Sequence, residues 1–522
     1  MERNENKTLT MNIIRREADM GAVKEKVTVS TAETAIIVVD MWDYHWCKTW
    51  VGRAGSMIPR LNRALSVARG LGIKIVHAPT DVVNSYSGYE QRERMAALPD
   101  FPVPESFRAF RLPLEDDLSL LRKDIPDIPR WAGDMCGSQY KCVPNYGEYR
   151  LDAGMEIHAD DWISANGQEL YNLCRLEGIR NLIYMGGATN VCVLIKQEGM
   201  LNMSAAGFNC IIARDMTEAY SAGYCSDSLD DHTAEAVRYI ERYIGSSVDL
   251  VETFRASGRW DDSWIVNQVL ICPWGHRRYP QLFEGTMKVT MSAPNLSEAE
   301  IRYTIDGSEP KNSSLLYSGP VMIEKTTVLR AAAFCKDDRI SLESESFFTC
   351  IPEIPQLPDI FISDLQPKWA TVKGYVPWWS SPDKGSKSPP VMDRSYDGSP
   401  LVLRGVPYDK GIGVDSPSQL LYEVKPEYDY FVARAGICES LLANDLGREA
   451  AVFPEVIFKV FINGKLMAES IVMHISEEPW RFEIKIPEGS HVISLVTNTT
   501  VDGRSCDMCN WVDAGFVLKK AR

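Results

Sequence analysis

One cysteine of this chain stands where a thiol could attack a substrate. Cys192 follows the apolar run NLIYM and the small residues GGATNV, at the start of a segment with helical spacing. The unpaired amide groups and the partial positive charge of a helix start favour the thiolate, the reactive form of cysteine. The same amides can hold an oxyanion. The pattern predicts attack by Cys192 on an acyl or C–N substrate, with simple core packing as the alternative.

An aspartate supplies a second candidate group. Asp40 closes the apolar run TAIIVVD, and a charge at the end of a buried strand needs either a partner or a chemical role. Sites in parallel sheets form at the carboxyl ends of the strands, where a carboxylate close to a thiol could accept its proton. We therefore predict that Asp40 and Cys192 converge on one pocket. A capping role is the alternative for Asp40.

The segments around these residues indicate an α/β domain over residues 1–255. Buried strands are indicated by four short apolar runs, TAIIVVDMW, IKIVHAP, NLIYMGG and FNCIIARDM. Helical spacing is found in MIPRLNRALSVARGLG, GQELYNLCRLEGIR, VCVLIKQEGMLNMSAAG and DDHTAEAVRYIERYIG. Strands that alternate with helices predict a doubly wound parallel sheet.

The rest of the chain is predicted to form two all-β sandwich domains. The first covers residues 270–350 and contains the turn signal Asp-Gly in IRYTIDGSEP. A proline-rich connector, CIPEIPQLPDI, precedes the second, which covers residues 358–520. Its short strands and its Asn-Gly hairpin, INGK, are typical of a β-sandwich.

Composition narrows the range of partners and cofactors. The 522 residues carry a formal net charge of -15, which argues against nucleic acid and anionic membranes as partners. No apolar stretch reaches the length of a membrane helix. The pairs Cys136 with Cys142 and Cys506 with Cys509 lack the further ligands that a zinc site needs, so we expect neither a metal nor another cofactor.

The two motifs together resemble the isochorismatase-like cysteine hydrolase family. The resemblance rests on TAIIVVDMWDYHWC and NLIYMGGATNVCVL and covers roughly residues 30–250. It implies that Asp40 is the general base and Cys192 the nucleophile. It also implies a cis peptide bond at Gly187–Ala188 and an oxyanion site formed by the amides of Ala188 and Cys192.

The chain departs from this family at the catalytic lysine. The family places that lysine just before the helix that here begins GQELYNLC, and the matching stretch, AGMEIHADDWISANGQEL, has none. His158 is the nearest replacement, because an imidazole side chain can donate or accept a proton. Asp160 and Asp161 lie beside it, and Lys141 and Arg150 are the nearest basic residues upstream. If no basic group fills this place, the domain becomes a binding scaffold without catalysis.

The loop after Asp40 is predicted to line the pocket. It carries Trp42, Asp43 and His45, and His77 after the next strand is expected to face the same space. Some relatives, the nicotinamidases, bind a metal here with one aspartate and two histidines, but their D-x-H pattern is absent from this loop. We therefore predict that the aromatic residues exclude water from the pocket and that no metal is held there.

The two C-terminal segments carry resemblances of their own. IRYTIDGSEPKNSSLLYSGPVMIEKTTVLRAAAF resembles the β-sandwich at the C-terminus of chitobiases, in which Asp306, Gly307 and Pro310 are turn residues. KGIGVDSPS, with Asp415 in place of the usual histidine, resembles the signature of the NPCBM carbohydrate-binding modules. Trp378 and Trp379 are candidates for stacking on sugars, whereas Trp511 is expected in the core.

These patterns lead to one functional hypothesis and one alternative. We predict an enzyme that hydrolyses an amide or related C–N bond of a small or glycan-linked substrate through a Cys192 thioester, with carbohydrate held by the C-terminal module. The alternative is a non-catalytic or altered-chemistry glycan-binding protein in which the hydrolase-like domain has lost the family lysine. Whether the chain forms a homo-oligomer is left open. It begins without a signal peptide, so a periplasmic or secreted location would require that a leader has been removed.

Overall fold

The computed structural model describes residues 7–17, 21–45, 47–105, 107, 139, 151–219, 229–294, 296, 298–372, 389–440, 454–475, 477–500 and 507–520. Only the backbone is described at residues 80, 81 and 229–232. Several residues named above lie outside these ranges, namely Trp378, Trp379, Lys141, Arg150, Cys136, Cys142 and Cys506.

The first part of the chain forms an α/β domain. Its elements are β1 (Thr8–Glu17), β2 (Gly21–Ser30), β3 (Thr34–Val39), α1 (Lys48–Ser56), α2 (Ile58–Leu71), β4 (Lys74–Ala78), α3 (Glu90–Ala96), β5 (Trp162–Ile163), α4 (Gly167–Glu177), β6 (Asn181–Gly187), α5 (Cys192–Ile195), α6 (Met200–Ala205), β7 (Asn209–Glu218), α7 (Leu229–Tyr243), β8 (Ser246–Val248) and α8 (Leu250–Ala256).

The sheet of this domain is mixed and not wholly parallel as predicted. Its order is β2-β1-β8-β7-β6-β3-β4-β5 in the described part of the chain. The strands from β8 to β5 are parallel, whereas β1 pairs antiparallel with both β2 and β8. Buried and exposed residues alternate along the first half of β1, which is typical of an antiparallel strand with one covered face.

The two site motifs lie on neighbouring central strands. All six residues of β3 are buried, and they alternate between apolar clusters on the two faces of the sheet. Val39 of β3 pairs with Gly186 of β6, so Asp40 and Gly187 follow at the same edge. A Cβ at Gly186 would lie 2.2 Å from the Val39 carbonyl oxygen, and its φ is +96°. Only glycine fits there, so the strand ends can approach closely.

The helix predicted from Val191 onward is broken in the structure. It is replaced by α5, which has four residues, and α6, which has six. Gly199 lies in the connection, where a Cβ would come within 2.7 Å of the Leu194 carbonyl oxygen. The crowding atoms belong to the backbone of the preceding turn, and the helical spacing of the apolar residues does not reveal this close approach.

The middle part of the chain forms a small all-β domain. Its strands are β9 (Leu270–Cys272), β10 (Gln281–Phe283), β11 (Met287–Ser292), β12 (Glu300–Thr304), β13 (Leu315–Leu316), β14 (Val321–Ile323), β15 (Thr327–Cys335), β16 (Asp338–Arg339) and β17 (Ser344–Cys350). One sheet has the order β10-β17-β15-β12-β13, with β16 beside β15, and the other has the order β14-β11-β9. An apolar core that includes Phe283, Leu329 and Phe348 lies in this domain.

The last part of the chain forms a larger all-β domain. Its strands are β18 (Ile360–Phe361), β19 (Trp369–Thr371), β20 (Val391–Met392), β21 (Leu401–Leu403), β22 (Val406–Tyr408), β23 (Gly411–Asp415), β24 (Ser418–Glu423), β25 (Tyr428–Ile437), β26 (Val456–Ile462), β27 (Lys465–Glu469), β28 (Trp480–Lys485), β29 (Val492–Thr499) and β30 (Met508–Leu518). The main sheets have the orders β20-β23-β30-β25-β28 and β19-β24-β29-β26-β27. Trp511 is fully buried in the core of this domain.

Across the described ranges, no helix is both long enough and apolar enough to cross a membrane.

Candidate active site

Asp40 is a fully buried carboxylate at the end of β3. It has no exposed surface, and its backbone φ is +40°, an uncommon conformation for a residue other than glycine. Such strained residues occur often at functional sites, where the surrounding structure holds them in place. Asp40 Oδ2 lies 2.5 Å from Lys196 Nζ, and the lysine side chain is only 2% exposed. The buried carboxylate is therefore paired with a buried ammonium group.

Lys196 is the basic residue whose ammonium group pairs with Asp40, whereas the sequence pattern predicts His158 or a basic group from elsewhere for the catalytic position. Lys196 lies directly after α5, and its backbone N–H donates to the Cys192 carbonyl oxygen at 3.3 Å. Its backbone is extended, with ψ of 165°, so the chain leaves the helix there. A signal for this lysine was present in the sequence, because residues four apart share one face of a helical turn. The thiol and the ammonium group therefore come from the same short turn.

An aromatic ring completes the environment of the ammonium group. Lys196 Nζ lies 4.9 Å from the centroid of the Trp42 ring. A cation over an aromatic face is stabilised by the ring quadrupole, and more so when water is excluded. Trp42 therefore lies beside the ion pair of Asp40 and Lys196.

The turn between β6 and α5 brings Cys192 to the same edge of the sheet. The Gly187–Ala188 peptide bond, which the resemblance expects to be cis, is cis in the structure. The amides of Val191 and Val193 both donate to the Ala188 carbonyl oxygen at 3.1 Å. Thr189 N–H donates to the Glu218 carbonyl oxygen at 3.0 Å, which ties the turn to β7.

The exposure of Cys192 differs from that of the other cysteines that the structure describes in this domain. Its side chain is partly exposed, whereas Cys47, Cys174 and Cys210 are buried. Burial raises the pKa of the Cys174 and Cys210 thiols far above the ordinary value. These two thiols are therefore inert near neutral pH. The helix that Cys192 opens has a single turn, so the expected influence of a long helix dipole does not apply to it.

His45 lies in the aromatic wall behind Trp42. Its ring is 6.2 Å from that of Trp42 and 5.1 Å from that of Trp50, between centroids. Burial lowers the pKa of His45 to about 3. Its Nδ1 accepts a hydrogen bond from the Cys47 amide at 3.0 Å, as a neutral imidazole can. His45 is therefore an uncharged part of the wall at neutral pH.

His77 lies in a different network from His45. It is fully buried in β4, and its Nε2 lies 3.2 Å from Asp161 Oδ2. Arg69 of α2 donates to both oxygens of Asp161, at 2.6 and 2.9 Å. Asp161 is thus a structural anion that joins β4 to α2. The expectation that His77 also faces the pocket of His45 stays a prediction.

His158 is not brought to Asp40. Its side chain is half exposed, and the nearest carboxylate is that of Glu156, at 3.6 Å. Its backbone amide, and not its ring, donates to Asp161, at 2.9 Å. The loop before β5 turns His158 towards solvent, so the imidazole does not take the place of the family lysine. The Asp43 carbonyl oxygen accepts a hydrogen bond from Tyr279 Oη.

The structure contains no group of three or more His, Cys, Asp or Glu side chains arranged to hold a metal, within the residues that it describes. A separate cavity of about 420 Å³ lies beside β7 and is lined by several arginines, among them Arg53, Arg60 and Arg214. Neither Asp40, Lys196 nor Cys192 lines this cavity. It is therefore distinct from the site around Asp40.

In the last domain, the glycines of the KGIGVDSPS signature allow close packing of strands. A Cβ at Gly411 would lie 2.5 Å from the Trp511 carbonyl oxygen, and one at Gly413 would lie 2.4 Å from the Ser395 backbone. Lys410 binds Asp364 and Asp393, at 2.5 and 3.1 Å. The described part of the signature thus has a structural role.

Comparison with protein families accounts for the two β domains. Residues 363–517 match the NPCBM/NEW2 domain, and residues 280–343 match the chitobiase/beta-hexosaminidase C-terminal domain. Both resemblances found in the sequence are confirmed over these residues. No curated protein matches the chain at a significant level.

Solved structures resemble separate parts of the chain. CBM51 from Clostridium perfringens GH95, in complex with methyl-galactose, is 24% identical, with 30% of this chain and 97% of that chain covered and a TM-score of 0.24. A cysteine hydrolase from Pseudomonas syringae pv. phaseolicola is 15% identical, with 44% and 96% covered and a TM-score of 0.26. An isochorismatase family protein from Burkholderia thailandensis is 12% identical, with 42% and 93% covered and a TM-score of 0.25.

Proposed function

We propose that the α/β domain is a cysteine hydrolase that cleaves an amide or related C–N bond. The observation that carries this proposal is the buried pair of Asp40 and Lys196, placed at the end of the turn that Cys192 opens. Burying a carboxylate and an ammonium group together has a large desolvation cost. A chemical role for the pair explains why the site keeps both charges.

Each residue has a definite role in the proposed reaction. Asp40 accepts the thiol proton of Cys192, while Lys196 stabilises the buried carboxylate before the transfer. The sulfur bonds to the carbonyl carbon, and the oxyanion that forms is held by the amides of Ala188 and Cys192. The proton held by Asp40 then passes to the leaving nitrogen as the C–N bond breaks, which produces a thioester.

The second half of the reaction returns the enzyme to its starting state. A water molecule attacks the thioester carbonyl and gives a proton to Asp40. The C–S bond breaks, the acid is released, and the proton returns to the sulfur of Cys192. The wall of Trp42 and His45 limits the access of bulk water, which favours the charge transfers in the site.

The C-terminal domain is proposed to bind carbohydrate and to bring the hydrolase domain to a glycan-linked substrate. The match of residues 363–517 to the NPCBM/NEW2 domain supports this part of the proposal. The alternative of a glycan-binding protein without catalysis was motivated by the missing family lysine. Lys196 beside Asp40 supports the enzyme proposal over this alternative, because a basic group then lies next to the carboxylate.

A search for the covalent intermediate tests the proposal. The full chain is incubated with a panel of simple amides and N-acyl amino sugars, and the acid product and the intact protein mass are followed. We expect an added acyl group on the Cys192 peptide and loss of turnover in Cys192→Ala. Cys335→Ala is the matched control, because Cys335 is also partly exposed but lies in β15. Turnover that survives in Cys192→Ala would overturn the proposal.

A further inference from the structure

The loop that follows Asp40 forms one wall of the site and also touches both β domains. We call residues 41–48 the site loop, of which all but 46 are described. The loop carries Trp42 over the ammonium group of Lys196 and His45 behind it. Any contact that fixes this loop therefore fixes part of the site.

Tyr279, from the middle domain, holds the centre of the site loop. Its Oη donates a hydrogen bond to the Asp43 carbonyl oxygen. Its ring packs edge-on against Tyr44, with 4.8 Å between centroids. Tyr279 is 4% exposed, and burial raises its pKa well above the ordinary value, so the hydroxyl remains a donor. This contact joins the loop to the segment just before β10.

Lys48 joins the end of the site loop to both β domains at once. Its Nζ donates to the Pro280 carbonyl oxygen and to Glu477, each at 2.7 Å. The side chains of Lys48 and Glu477 are 10% and 3% exposed. His474, three residues before Glu477, places its ring 6.0 Å from that of Tyr44 and 6.0 Å from that of Tyr279. The three domains thus meet on one loop of the hydrolase-like domain.

We propose that Tyr279 and Glu477 are positioning residues for the site, and that the β domains clamp the loop that forms its wall. This inference rests on the proposed function for the identity of the site. Without the clamp, Tyr44 would lose its packing partners and Lys48 would be a buried charge without its carboxylate, which is strongly unfavourable. The site loop would then leave the position in which Trp42 covers Lys196.

The test compares substitutions at Tyr279 and Glu477 with a control substitution, all in the full chain. Tyr279→Phe removes the hydrogen bond to Asp43 but keeps the ring. Arg481→Met is the matched control, because Arg481 forms an ion pair with Glu284 between the same two β domains without touching the site loop. Two properties are measured, namely amide hydrogen exchange of peptides spanning residues 41–48 and the pH dependence of Cys192 alkylation by iodoacetamide.

We expect exchange of the loop amides to be about fivefold faster in Tyr279→Phe, which corresponds to one lost hydrogen bond. The pH midpoint of Cys192 alkylation should shift as well, and Arg481→Met should change neither property. Glu477→Leu should act like Tyr279→Phe, whereas Glu477→Gln, which keeps an acceptor for Lys48, should restore part of the protection.

Each outcome decides one part of the inference. Unchanged exchange in both Tyr279→Phe and Glu477→Leu would overturn the clamp. Faster exchange with an unchanged alkylation profile would show that the loop is held but does not influence the site, which overturns the positioning role. If Cys192 of the unmodified chain is unreactive, the proposed function fails, and the exchange rates alone still decide whether the β domains hold the loop.

Discussion

At the scale of single residues, the proposed chemistry depends on the buried ion pair of Asp40 with Lys196. The two groups lie 2.5 Å apart with almost no exposed surface. Removing one partner of such a pair leaves a buried charge without compensation, whereas removing both can restore much of the stability. This behaviour separates a buried pair from a surface ion pair, which contributes little.

Lys196→Met is expected to lower the free energy of unfolding by about 3 to 5 kcal/mol, as breaking a buried ion pair does. The double variant Asp40→Asn with Lys196→Met should recover part of that loss, because neither charge then remains. Urea unfolding of the three proteins measures both effects. If Lys196→Met lowers the free energy of unfolding by less than about 1 kcal/mol, the pair contributes no more than a surface ion pair does, and the expectation is wrong.

His45 makes the stability of the fold depend on pH. Its pKa is about 3 in the folded chain, against 6.5 for an unperturbed histidine, so the unfolded chain binds more protons between these values. Stability should therefore fall as the pH is lowered from 6.5 towards 3. Urea unfolding across this range should show a shallower pH dependence for His45→Gln, which keeps an acceptor for the Cys47 amide. Equal slopes would contradict a buried neutral His45.

At the scale of elements, the sequence predicted those parts that local patterns determine. The sequence predicts β3, β6 and α2 close to where the structure has them. The two strands are continuous apolar runs, and α2 has helical spacing and is capped by Gly72. The break between α5 and α6 was not predicted, since it depends on crowding around Gly199. Lys196 was missed although its spacing of four residues from Cys192 is visible in the sequence, because that spacing does not show that its ammonium group pairs with Asp40.

The edge of the sheet shows a second limit of prediction. The polar residues of β1 and β2 weaken the apolar signal of a strand, and only their antiparallel pairing over Thr8–Glu17 reveals the hairpin. His158 shows the opposite error, because its type suited the chemistry but the loop before β5 leaves it half exposed. Residue type and sequence position alone do not fix the direction of a side chain.

Gly199→Ala tests the role of the break between the two short helices. The added Cβ would meet the backbone oxygens of Leu194 and Lys196 at 2.7 and 2.8 Å, so the turn must shift. We expect destabilisation of about 1 to 3 kcal/mol and slower alkylation of Cys192. Gly70→Ala is the control, since a Cβ there, in α2, meets nothing within 4 Å. Equal behaviour of the two variants would show that the break does not need glycine.

At the scale of the whole molecule, the site loop connects the candidate hydrolase site with both β domains. The last domain matches the NPCBM/NEW2 domain, and its Glu477 accepts a hydrogen bond from Lys48 at the end of the site loop. In the clamp that we propose, this domain helps to support the site. We therefore expect the α/β domain to be less reactive at Cys192 when it is separated from the β domains.

Sugar binding by the last domain is predicted to need the pair Trp378 and Trp379, which lie in the turn-rich stretch YVPWWSSPDKGSKSPP. The double variant Trp378→Ala with Trp379→Ala should weaken binding in a glycan array by about tenfold or more, since aromatic anchors often dominate binding energy. Trp369→Ala is the control, because Trp369 is 45% exposed. Binding that survives the double variant would show that another surface holds the sugar.

The central claim is that Cys192 is an activated nucleophile, and the rate of its alkylation by iodoacetamide tests it most directly. The full chain is labelled at pH values from about 5 to about 10, a range that spans the pKa of an ordinary thiol. Peptides carrying Cys192, Cys335 and Cys350 are then quantified by mass spectrometry. All three thiols are partly exposed, so access alone does not distinguish them. We expect Cys192 to be alkylated fastest near neutral pH and to reach its maximal rate at a lower pH than Cys335 and Cys350. We also expect Asp40→Asn to slow the alkylation of Cys192. An alkylation rate of Cys192 that is equal to or lower than the rates of Cys335 and Cys350 at every pH would contradict the proposed activation of this thiol.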